Sequence, residues 1–153
     1  MSIREANLED TRQLIQLFQG SLRHMVALQP DVWREAETTE EFAQLPILSP
    51  DGMLYVWAEN GELLGLVSVF VVNQEEEAIQ RKRRYADLDT LYVRPQDRGR
   101  GIGTALYRAA AAWAKGKGCN ALELMTLGEN TAARRFYECL GLRERRIIMS
   151  TAL

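Results

Sequence analysis

The chain has 153 residues, 46% hydrophobic and 26% charged, a balance that suits one compact domain with a buried core. Its formal net charge of −2 argues against general electrostatic binding of nucleic acid, which calls for a strongly basic face. The longest apolar run, Leu63 to Val72, is broken by Gly65 and Ser68 and is too short to span a bilayer, and Ser2 to Asn7 lack the apolar stretch of a secretory signal; a cytoplasmic protein with no membrane or nucleic-acid partner is expected.

Ile3 to Ala6 reads as a first strand. Asn7 or Asp10 can cap a helix whose apolar face is Leu14, Ile15, Leu17 and Phe18 and which should stop near Gly20. From Ser21 to Pro50 the signals weaken: Pro30 breaks the pattern, a short helical piece fits Thr39 to Leu45, and Pro46 and Pro50 bound an irregular loop. Met53 to Glu59 and Glu62 to Asn73 form a hairpin about Asn60-Gly61, a dipeptide suited to a two-residue turn. Gln74 to Arg84 sets Glu75-Glu76-Glu77 against Arg81-Lys82-Arg83-Arg84 and reads as an exposed loop, either a lid or a solvated hairpin end. A strand, Tyr85 to Val93, leads through a glycine turn into a helix whose buried stripe is Ile102, Ala105, Leu106, Ala109 and Trp113. Ala121 to Met125 makes another strand, Asn130 to Leu140 another helix, and Arg146 to Ala152 a last strand that could join a second copy in a homodimer. Cys119 and Cys139 show neither a disulfide framework nor metal-ligand spacing and read as buried thiols, and His24 as a surface or packing residue.

The turn itself, Arg98-Gly99-Arg100-Gly101-Ile102-Gly103-Thr104, is the most informative segment. Its glycines let the backbone bend tightly, and the helix that starts there adds unpaired N–H groups and a partial positive charge, a combination suited to phosphate. The dinucleotide fingerprint fails, because Thr104 or Leu106 occupies the slot of the third glycine, and no Gly-Lys-Ser/Thr tripeptide supports a P-loop. Arg98 and Arg100 are cations where the helix dipole disfavours them, a mismatch that a bound anion would relieve.

What the segment does match is R-x-x-G-x-G/A, filled by Arg98, Gly101 and Gly103. Asn130-Thr131-Ala132-Ala133-Arg134-Arg135-Phe136-Tyr137-Glu138-Cys139-Leu140-Gly141-Leu142 follows at a matching distance and fits N-x-x-A-x-x-F-Y-x-x-x-G-F/L. On these two motifs the chain resembles the GNAT superfamily of N-acetyltransferases. The resemblance implies a mixed α/β domain with a central sheet of six to seven strands, splayed between strands 4 and 5 and flanked by about four helices. It also implies an acetyl-coenzyme A site and no metal. Leu91, Tyr92 and Val93 would lend backbone groups to the pantetheine arm, residues 98 to 104 (Arg98, Gly99, Arg100, Gly101, Ile102, Gly103 and Thr104) would hold the pyrophosphate, and Asn130, Ala133, Arg134 and Tyr137 would line one face of the next helix.

Acetyl transfer to an amine needs an unprotonated nucleophile, a polarised thioester carbonyl and a proton for the departing thiolate. Tyr137 stands where this family usually supplies the proton, and a phenol near pKa ~10 is neutral at working pH. Asp87 and Asp89 are acids on a half-buried strand; strict alternation puts both on the face of Leu91 and Val93, although a bulge would change that. Either could act as base, a water could relay the proton, or the pair could anchor a cationic acceptor. The acceptor is expected to be a small-molecule amine or a peptide; the rival reading is a non-catalytic acyl-coenzyme A sensor with the same fold.

Overall fold

The structure is a computed structural model that describes residues 2–153. Strand β1 (Ser2–Glu5) is followed by helices α1 (Thr11–Leu28) and α2 (Glu40–Leu48), and then by the hairpin of β2 (Gly52–Glu59) and β3 (Glu62–Gln74). Asn60 and Gly61, at φ 50° and 79°, take the left-handed backbone that a two-residue turn between right-twisted strands requires. Strand β4 (Arg83–Val93), helix α3 (Ile102–Gly116), the two-residue strand β5 (Leu122–Glu123) and helix α4 (Thr131–Cys139) complete the order.

The sheet runs β1-β2-β3-β4-β5, antiparallel throughout except for the parallel pair β4–β5. Strand β3 reads as an almost unbroken apolar run because both of its faces are covered. On one face Leu66 joins Leu54 and Val56 of β2 against Leu14, Leu17 and Phe18 of α1 and Ala43 of α2. On the other, Val67 and Val69 join Ala86 and Leu88 of β4 against Ile102, Leu106, Ala110 and Ala114 of α3. The buried stripe of α3 thus follows strict four-residue steps and includes Ala110 and Ala114, while Trp113 packs only at its margin. At the start of the chain, Arg4 grips the buried Asp10 through two hydrogen bonds of 2.8 Å, and Asp10 also accepts from the Asn7 N–H.

Several expectations are corrected. Helix α1 does not stop at Gly20 but runs to Leu28, because Gly20 sits in the helix interior where Tyr92 needs the room: a Cβ there would lie 2.5 Å from the tyrosine oxygen. Helix α2 passes through Pro46, which is buried, and Thr39 caps its start by accepting from the Phe42 N–H. Strand β5 is shorter than Ala121 to Met125, and the last strand is not formed. Arg146 to Ala152 stays outside the sheet, with Ile148 88% and Met149 90% exposed, so the sheet has five strands rather than six to seven. Cys119 is half-buried and Cys139 exposed, not buried as expected.

Candidate active site

Strand β4 keeps its antiparallel partner β3 as far as Val93 opposite Gly65, but it meets β5 only at Ala86 and Asp87. From Leu88 to Val93 the edge that faces β5 therefore has no strand neighbour among the described residues, which places the opening of the sheet between its fourth and fifth strands, as expected. A strand edge left open beside a helix start offers backbone groups to an extended amide-containing ligand. One of those groups is already engaged: the Arg98 Nε donates to the Val93 carbonyl at 3.0 Å, with its guanidinium over the Tyr92 ring.

At the turn, Gly99 and Gly101 have φ of 78° and 80°, and the space where their side chains would project is open. Among the described residues no backbone carbonyl accepts from the N–H groups of Gly99 through Thr104. These amides and the N-terminal dipole of α3 form a ready anion cradle. Arg100 is turned away from it: its guanidinium binds Glu59 at 2.7 and 3.0 Å and the buried Asp97 at 3.1 Å, and Asp97 also accepts from Arg94 at 2.7 Å. Gly103 faces α4 instead: a Cβ there would lie 3.5 Å from the Phe136 ring, an ordinary contact distance.

Helix α4 brings Tyr137 beside Tyr107 of α3, their ring centroids 6.5 Å apart, with Phe136 packed edge-on at 5.1 Å. Burial, and then the neighbouring Tyr107, push the Tyr137 hydroxyl up to about 12, so the group keeps its proton through the physiological range. Asn130 caps α4 by accepting from the Ala133 N–H at 3.2 Å, and Arg134 donates to the Gly128 carbonyl at 3.3 Å and pairs with Glu144. Asn130 and Arg134 thus shape the entry into α4 through contacts within the chain.

A β-bulge decides where the acids point. Ser68 is opposite Thr90 but Val69 is opposite Leu88, which leaves Asp89 as the extra residue. Ala86 and Leu88 before the bulge, and Leu91 and Val93 after it, all face the α3 core. Asp87 and Asp89 consequently lie on the α1–α2 side, opposite to Leu91 and Val93 and contrary to strict alternation. Burial, then Asp89 and Glu123, raise the Asp87 carboxyl above its ordinary range, while Glu123 itself is held by Arg83. Asp89 borders a hollow of about 120 Å³ that also includes Ser68 and Phe42. Sequence reasoning passed over Ser68, although a hydroxyl inside the apolar run Leu63 to Val72 was a signal, and Tyr107, for which nothing in the linear order pointed to Tyr137. A wider polar cleft of about 310 Å³ between α1 and the end of β4 is bordered by groups already paired within the chain, such as Arg94 with Glu62.

The sequence profile described as Acetyltransferase (GNAT) family matches residues 13–142. The chain belongs to this family. An uncharacterised N-acetyltransferase of Methanocaldococcus jannaschii is 36% identical over 61% of this chain, which spans only 40% of that relative's length. The aminoglycoside N(6′)-acetyltransferase type 1 of Klebsiella aerogenes is 32% identical over 68% of this chain and 67% of its own length. A crystal structure of a mutant Bacillus halodurans protein has a TM-score of 0.95 at 23% identity, covering 100% of this chain and 99% of that one, and so shares the fold. The acetyl-coenzyme A that this family uses fits what the described residues offer: unpaired amides at an open glycine turn for phosphate, and an unpaired strand edge for an amide-bearing arm.

Proposed function

We propose that this protein transfers the acetyl group of acetyl-coenzyme A to a primary amine of a small molecule or peptide, by direct attack while both substrates are bound, in the cytoplasm. The observation that carries the reading is the set of unpaired N–H groups from Gly99 to Thr104 beside the unpaired edge of β4, with the proton-holding Tyr137 on the adjacent helix. Acetyl-coenzyme A supplies the thioester to be cleaved. The turn amides hold its phosphates, and backbone groups of Leu91 to Val93 orient its arm and polarise the carbonyl. Tyr137 donates the proton to the departing sulfur. Asp89 attracts the acceptor's ammonium, and Asp87, whose carboxyl burial raises above its ordinary range, removes the proton directly or through a water. Direct attack is favoured over a covalent acetyl-enzyme because His24, exposed on α1, hydrogen-bonds to neither Cys119 nor Cys139 among the described residues. The Klebsiella relative's name points to amino groups on small molecules as acceptors in this family.

The test is calorimetric titration with acetyl-coenzyme A, together with free-thiol release across a panel of amines. The reading expects binding and amine-dependent release. A protein that binds the carrier but releases no thiol with any amine would be a sensor.

A homodimer is a second proposal, carried by the tail. Ile147, Ile148 and Met149 are 72%, 88% and 90% exposed, β5 is the last strand of the described sheet, and no residue of α4 is fully buried. The 146–152 segment of each copy would pair with the β5 edge of the other, giving both a backbone partner. Light scattering should give twice the chain mass, and deletion of residues 143–153 should halve it; a full-length monomer overturns the proposal.

A further inference from the structure

We infer that the hollow beneath α2 is the acceptor pocket and that it takes a primary amine carried on a compact apolar body, an arylalkylamine or a short alkylamine. The inference rests on the acetyltransferase reading above and adds the class of acceptor. Three elements and the bulge build the hollow: Phe18 from α1, Phe42 and Leu45 from α2, Ser68 and Phe70 from β3, and Asp89 from β4. Phe18 and Phe42 meet edge to face with centroids 5.2 Å apart, and this pair forms an aromatic wall. Phe42 and Leu45 remain 49% and 52% exposed, which leaves apolar surface at the mouth uncovered by the protein itself. The volume of about 120 Å³ is close to the roughly 150 Å³ apolar cavity that admits a benzene ring.

Two polar features give this apolar hollow a direction. Asp89, set out of register by the bulge, is the single ionisable group on its lining, so the site matches one positive charge and not several. Ser68 is 1% exposed and its Oγ is buried without a hydrogen-bond partner among the described residues. An unpaired buried hydroxyl costs stability unless a ligand atom completes it. An ammonium drawn to Asp89 can donate to the Ser68 Oγ while its carbon body rests on Phe18, Phe42 and Phe70. The arrangement also positions the nitrogen for reaction, since Asp89 lies two residues before Leu91, where β4 has already lost β5. A polyhydroxylated, multiply charged acceptor would leave its own polar groups unpaired against these rings.

The experiment compares 2-phenylethylamine and n-hexylamine with free lysine and an aminoglycoside, following thiol release, and titrates 2-phenylethylamine calorimetrically without the carrier. The apolar amines should have kcat/KM at least tenfold above the polar ones. Ser68→Ala should raise the KM for 2-phenylethylamine about tenfold, leave the KM for acetyl-coenzyme A unchanged, and raise Tm, because the unpaired hydroxyl is gone. Preference for lysine or the aminoglycoside, or an amine KM indifferent to Ser68→Ala, would overturn the pocket assignment and leave acetyl transfer standing. Calorimetric binding of 2-phenylethylamine that is weakened by Ser68→Ala, without thiol release from any amine, would keep the pocket and overturn the transfer chemistry.

Discussion

The two ends of the sheet differ in how they satisfy their backbone. From β1 to β3 each strand is paired, both faces are packed, and even the polar clamp of Arg4 with Asp10 is closed upon itself. From the middle of β4 onward the chain leaves groups open: the β5-facing edge after Asp87, the amides of Gly99 to Thr104, and α4, none of whose residues is fully buried. The closed end, together with the α3 core on β3 and β4, supplies the free energy that keeps the fold, since apolar burial and paired backbone outweigh chain entropy only narrowly. The open end is where a ligand can replace a missing neighbour, so the same kind of change should be felt as stability at one end and as activity at the other.

That contrast can be broken most sharply at Tyr137. Tyr137→Phe keeps the ring packing but removes the donor, and kcat should fall about 100-fold, roughly 2.7 kcal/mol in barrier, with Tm nearly unchanged; rates and melting curves from one preparation decide it. At the closed end, Asp10→Asn should lower stability by roughly 2 kcal/mol at pH 7, the scale of hydrogen bonds to a charged group, with KM for both substrates unaffected. The Arg4 guanidinium, helped by the Asn7 N–H, holds the Asp10 carboxyl below its ordinary value. Its contribution is present above the unfolded-state pKa and disappears as pH falls through the lower folded value, so urea unfolding of wild type and variant should converge in strong acid.

Gly101→Val tests the open end without touching chemistry. A branched residue at φ 80° is strained and projects a side chain beside the amide cradle, so the Kd for acetyl-coenzyme A should rise about tenfold, or 1.4 kcal/mol. An unchanged Kd in calorimetry would remove the turn from the binding site. The smallest effect is expected for Asp87→Asn on stability, and its sign is informative. Burial favours the neutral carboxyl of Asp87, so its stabilising contribution is complete below the unfolded-state pKa and is lost as pH rises through the raised folded value. At pH 7 the variant should therefore melt slightly higher than wild type while turning over more slowly, and the difference in Tm should vanish below about pH 4.

Local chemistry made parts of this molecule legible. The Asn60-Gly61 hairpin, the strand-to-glycine-turn junction at Val93 to Thr104 and the helix holding Tyr137 all follow from residues near one another in the chain, whose backbone preferences act without distant help. The errors share an opposite origin. Gly20 looked like a stop signal, and only the Tyr92 ring from β4 explains why the helix continues past it. Pro46 reads as a boundary in the sequence, yet it lies inside α2 on the helix's buried face. Arg146 to Ala152 carries strand-forming residues, but a strand needs an edge to pair with, and propensity does not name one.

The amino-acid order by itself determined the two motifs, the family they point to, the mixed α/β class and the glycine turn, because each depends on spacing along a single segment. The tertiary structure alone decided the facing of the acids, since the bulge opposite Ser68 and Val69 exists only in the pairing of β3 with β4. It also decided the retraction of Arg100 to Glu59, the meeting of Tyr107 with Tyr137, and the hollow that gathers Phe18, Phe42, Ser68 and Asp89. These are relations between residues far apart in the chain, fixed by register and packing, and no local preference encodes them.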